Sequence, residues 1–81
     1  MGHGETLLVI RRDKNNQPIQ EYAGQNLEIP QQGEVIELGE TDFEGNVRQK
    51  SSYQVVERSF GYFLKPNSEG TVKIDLFVKP L

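Results

Sequence analysis

The sequence predicts an all-β fold: a small single-domain barrel of about five strands, SH3-like or OB-like. Three observations predict it. Val72, Ile74, Leu76 and Val78 alternate with Lys73, Asp75, Phe77 and Lys79, the period of two that gives a strand one buried face. The stretch from Tyr53 to Leu64 is rich in aromatic and β-branched residues, and the turn formers from Lys65 to Gly70 join it to that last strand as a hairpin. No segment places apolar residues at i, i+3, i+4 and i+7 over a helical length. An isolated hairpin is marginal in water, so the earlier chain must complete the core, and closure into a barrel would protect the sheet edges.

The elements follow in order. Residues 1–5 read as a flexible terminus, since Gly2 and Gly4 resist ordering. Their Met-Gly start with Thr6 also fits the N-myristoylation pattern, which is short and frequent by chance. Thr6 to Arg12 is a strand; Leu7, Leu8, Val9 and Ile10 do not alternate, which suits a strand covered on both faces. Asp13 to Pro18 is a polar turn, and Ile19 to Tyr22 returns as a short strand. Leu27 and Ile29 point to one side, and Pro30, lacking a ladder donor, belongs at an edge or corner. After a turn at Gln31 to Gly33, Glu34 to Leu38 is the third principal strand. Gly39 to Lys50 is polar with a turn tip at Phe43 to Asn46; it is long for a hairpin loop, so the strands extend partly into it.

Composition excludes several classes. A chain of 81 residues is one small domain that buries about 60–65% of its unfolded surface. With no cysteine there is neither a disulfide nor a thiolate metal ligand, which fits a reducing, cytoplasmic setting. No apolar run approaches the ~20 residues of a membrane span, so no membrane partner is expected. A net charge of −3 argues against nucleic acid as partner. The charges are segregated: Glu21, Glu28, Glu34, Glu37, Glu40, Asp42 and Glu44 lie in a stretch without Lys or Arg, which implies an acidic middle hairpin set against basic outer strands.

The pattern Ile29-Pro30-x-x-Gly33-Glu34-x-Ile36-x-Leu38, then a loop, Tyr53-x-Val55 and a final alternating strand ending at Pro80, resembles small uncharacterised bacterial β-barrel proteins. The likeness covers about the last two-thirds of the chain. It implies a fold and carries no catalytic residue.

Catalytic chemistry lacks its usual parts. The only histidine, His3, lies in the terminus, no cysteine is present, and no phosphate loop or nucleophile elbow occurs, so no enzymatic activity and no cofactor are expected. Glu40, Asp42, Glu44 and Gly45 have the spacing of a calcium loop, but the twelfth position is Ser51 rather than a bidentate Glu; a solvated hairpin tip suits them better. Phe60, Tyr62 and Phe63, with Arg58 and Lys65 near, could stack bases, yet so small a barrel needs aromatics to fill its core, and core is the expectation. Alternation turns Phe77 outward between Lys73 and Lys79, and these three are the candidate partner contact. The reading is a non-catalytic protein-interaction or self-assembly module. A nucleic-acid-binding barrel is the alternative, and a small enzyme or metal-binding accessory protein the next.

Overall fold

The computed structural model describes residues 5–13, 15–67 and 69–81. They form five strands: β1 (Glu5–Arg11), β2 (Gln20–Gly24), β3 (Val35–Thr41), β4 (Val47–Leu64) and β5 (Gly70–Pro80). These make one sheet in the order β2-β1-β5-β4-β3. The β1–β5 pair is parallel; the other three pairs are antiparallel. The expected terminus 1–5 divides here: Glu5 opens β1 opposite Thr71, and His3 with the rest of the myristoylation pattern before Glu5 lies outside the described residues.

β5 is the middle of the sheet. Ile74, Leu76 and Val78 are buried on one face, as their alternation predicts, with Leu76 wholly enclosed. Leu8 and Ile10 of β1 stand beside Ile74 and Leu76 in register, and Val55 of β4 stands beside Val78. Leu38 of β3 completes this cluster, and Ile36, Tyr53, Val72 and Ile19 pack around it. β1 is buried on both faces, since Val9 on the far face is also enclosed. There the register sets Val9 beside Asp75 and Arg11 beside Phe77. Arg11 Nε lies 3.3 Å from Asp75 Oδ1, so an ion pair spans the two apolar side chains.

A single sheet covers a core only if something crosses its open side. The strand order supplies this, because β2 and β3 lie on opposite edges and residues 25–34 must run between them. Four inter-strand steps span about 19 Å, and a ten-residue segment reaches about 33 Å, so the crossing is not taut. Leu27 and Ile29 pack on the core from this segment, and it then docks on β4: Val55 N–H donates to Glu34 O and Gly33 N–H to Val55 O, at 2.9 and 2.8 Å. The two apolar residues expected to share a side do share one, as a cover rather than a strand.

The expected barrel is not formed: the sheet stays open, and neither SH3-like nor OB-like closure is present. The cause is an offset along the sheet. β3 pairs with β4 between Val47 and Gln54, whereas β5, which carries β1 and then β2, pairs with β4 between Tyr53 and Leu64. The two edge strands therefore meet only at a corner, where Gln20 Nε2 donates to Gly39 O at 3.0 Å. β4 bends to serve both halves. Eighteen residues laid straight would span roughly 55–60 Å, against a longest axis of 41 Å for the whole molecule. The bends coincide with two register shifts, one opposite Gly39 and one at Val56. At the first, Gln49 takes the left-handed conformation (φ 53°), and a Cβ on Gly39 would sit 2.9 Å from the Arg48 carbonyl. Among the described residues there is no helix, and none therefore long and apolar enough to cross a membrane.

Two stability outcomes follow. Leu76→Ala leaves a cavity at the centre of the sheet and lowers stability by roughly 2–5 kcal/mol; an unchanged thermal midpoint would contradict this packing. Gly39→Ala forces backbone apart at the β3–β4 bend and costs about 1–3 kcal/mol. Chemical denaturation of the two variants checks both figures.

Candidate interaction edge

β4 has partners on both sides only from Tyr53 to Val55, where its pairing with β3 and the 25–34 segment overlaps its pairing with β5. Beyond Val55, which bonds to Gly33 and Glu34, nothing among the described residues pairs with its outer edge until the strand ends at Leu64. Over this second half the inner edge pairs with β5. Lys65 N–H turns inward to Glu69 O, at 2.8 Å, to close the hairpin. In an antiparallel ladder, backbone groups of successive residues point to alternate sides. The inward Lys65 thus turns the N–H and C=O of Arg58, Phe60, Tyr62 and Leu64 toward the open side.

Large apolar side chains crowd this edge. Tyr62, Phe63 and Leu64 are 76, 58 and 81% exposed, and Val56 and Phe60 are 44% exposed. The expectation that Phe60, Tyr62 and Phe63 fill the core is overturned by these values. Phe60 and Tyr62 do share the core face, opposite Ile74 and Val72, but the covering segment 25–34 docks at Val55 and leaves them outside it. The Arg58 guanidinium lies 5.4 Å from the Phe60 ring centre, a cation–π distance. On the other face the Phe63 ring lies over Gly61, where a Cβ would come within 2.7 Å of it. Natural edges are usually blunted by lysine, proline or an inward charge. Between Glu57 and Leu64 this edge has no lysine and no proline; its one cation, Arg58, is on the core face and lies over the Phe60 ring.

The other candidates take their places around it. Lys73, Phe77 and Lys79 share the face opposite the core, as alternation requires, and Lys79 is exposed. Phe77 is only 9% exposed, flanked by Glu57 on one side and Arg11 on the other. Its ring is held within the sheet, and Phe77→Ser is expected to lower the thermal midpoint markedly. The acidic hairpin tip is organised by its own chain. Asp42 accepts from the backbone N–H of Glu44 and Asn46, both at 2.9 Å, and from Arg48 Nε at 3.2 Å, while Gly45 takes a φ of 88° at the turn. Among the described residues no three His, Cys, Asp or Glu side chains gather as a metal site. Two acidic side chains of the segregated stretch meet bases from just beyond it, Asp42 with Arg48 and Glu37 Oε2 with Lys50 Nζ at 2.9 Å, both within the β3–β4 hairpin.

The hydrogen bond from the Asn46 backbone, with those from the Asn46 side chain, Arg48 and Glu44, holds the Asp42 carboxyl below its ordinary 3.8. A depressed folded-state value stabilises the fold above the unfolded value and loses that effect as pH falls through the folded one. The stability gap between the parent chain and Asp42→Asn should therefore be constant near neutrality and close only below about pH 3.8. Urea melts of both across that range test it; a gap that persists in acid would show that the carboxylate does not organise the tip.

Comparison with protein-family models, with curated proteins and with solved structures finds no match.

Proposed function

We infer that this chain is a non-catalytic protein-interaction module that takes a strand of another chain onto the open edge of β4. One observation carries the reading: an unpaired run of backbone donors and acceptors coincides with the densest group of exposed aromatics. Strand addition uses both, the ladder for affinity and alternate side chains for specificity. Aromatic anchors with an adjacent arginine are the side chains that most often dominate interface energy. A surface depression between Arg12, Val56 and Phe77 holds about 290 Å³ and is shallow, which suits an edge-on partner better than an enclosed small molecule.

A second reading rests on the same aromatics. Phe60, Tyr62 and Phe63 beside Arg58 and Lys65 would suit stacked bases of a single strand. The net charge of −3 opposes it, since backbone neutralisation supplies most such affinity.

Selection of a random linear-peptide display library against the chain tests the first reading. Enriched peptides should bind the parent and lose about tenfold or more in affinity for Tyr62→Lys. Binding that ignores Tyr62 and Phe63 substitutions would remove the edge from the account. A random single-stranded oligonucleotide bound with steep salt dependence, and released by Tyr62→Ala, would transfer it to the second reading.

A further inference from the structure

We propose that the strand received by β4 is β4 of a second copy, antiparallel, about a two-fold axis through Gly61. The proposal rests on the reading of this edge as a docking site and names its occupant. The limits of the edge set the register. Val55 is already bonded to Gly33 and Glu34, and β4 ends at Leu64 before Lys65 closes the hairpin, so the strand available runs from Glu57 to Leu64. Its middle falls between Phe60 and Gly61, and the side chains that would face each other select Gly61 as the axis. A two-fold axis normal to the sheet keeps the faces of the two copies in line, so only residues on the same face can stand opposite each other.

That register is self-complementary. Glu57 of each copy faces Lys65 of the other, giving two opposite-charge pairs and no like-charge pair. Phe60 faces Tyr62 twice, an aromatic cross-strand pair of the kind that stabilises sheets. Ser59 faces Phe63, and Arg58 faces Leu64. Within one copy Lys65 Nζ is only loosely engaged, 3.9 Å from Glu69 Oε2, and is free to turn to Glu57 of the other. The backbone parity agrees: Phe60 and Tyr62 carry their N–H and C=O toward the open side, so each Phe60–Tyr62 pair exchanges ladder bonds. Gly61 falls on the axis in a non-hydrogen-bonded pair, where Cα atoms come closest, about 4.5 Å, and the Phe63 ring of its own copy takes the place of a side chain there. Shifting the axis by one residue to Phe60 runs the ladder into the Val56 bulge and puts Glu57 opposite Phe63, with no charge partner. Pairing about Gly61 joins two five-stranded sheets into one of ten strands.

The chain has no cysteine, so single-cysteine variants report the register directly. Gly61→Cys should form a disulfide-linked dimer under mild oxidation. Phe60→Cys should not, because its copy then lies diagonally, beyond the ~7 Å Cα limit for a disulfide. Sedimentation equilibrium provides the second arm. Glu57→Lys should weaken the dimer about tenfold by opposing like charges, and Glu57→Lys with Lys65→Glu should restore it. Thermal melts confirm that each variant is folded, and if Gly61→Cys is not, the charge exchange decides. A parent chain that stays monomeric to high micromolar concentration, cross-linking through Phe60→Cys instead, or no rescue by the double exchange would each overturn the proposal. A monomer that still selects Tyr62-dependent peptides would sink self-pairing and keep the interaction reading; a monomer that selects none would sink both.

Discussion

The structure depends on one strand having two unlike neighbours. β5 pairs in parallel with β1 and antiparallel with β4, and each of those carries one edge strand outward. Without β5 the sheet separates into two hairpins, β1–β2 and β3–β4, neither of which has a core of its own. This is why the most regular alternation in the sequence falls at the C-terminus, and why Leu76 rather than an early residue is the most enclosed side chain. It also accounts for the parallel pair, which is rare in so small a chain, since first and last strands can be neighbours only if the chain returns across the molecule.

The same arrangement separates what the sequence could tell from what it could not. Alternation at Val72 to Val78 and the turn at Lys65 to Gly70 are local signals, and the β4–β5 hairpin they indicate is present. The unbroken run of Leu7 to Ile10 announced a strand covered on both faces, which β1 is. Barrel closure was a global inference drawn from the cost of open edges, and it failed because edge pairing depends on how strands are displaced along each other. That displacement is set by the β4 register, which no residue pattern encodes. The aromatics of β4 were misplaced for a related reason. Phe60 and Tyr62 look like core residues by type, and they do face the core side. Their exposure arises from where segment 25–34 stops, at Val55, twenty-odd residues away in sequence.

Phe77 is the reverse case. Alternation correctly put it on the face opposite the core, and the inference to a contact surface followed from treating that face as solvent. A central strand has neighbours on both sides, and here Glu57, Arg11 and the Arg11–Asp75 pair close over it. Lysines flanking an aromatic are thus an ambiguous sign: on an edge strand they mark a surface, whereas on a central one their stems belong to the packing.

The extra residue at Val56 has a consequence of another kind. Between the two register shifts, odd-numbered positions of β4 face the core, as Val55 does; after Val56, even-numbered ones do, as Arg58, Phe60 and Tyr62 do. Val56 therefore acts as a phase shifter between a strand half that builds the fold and a half that presents side chains outward. Loss of that one residue would remove the bulge yet leave every face as it is, because Arg58 would then stand two positions after Val55 and the register with β5 would run on unbroken. The strand can in this way give up one residue of length at its bend while the interior side chains and the exposed aromatics both keep the faces they have.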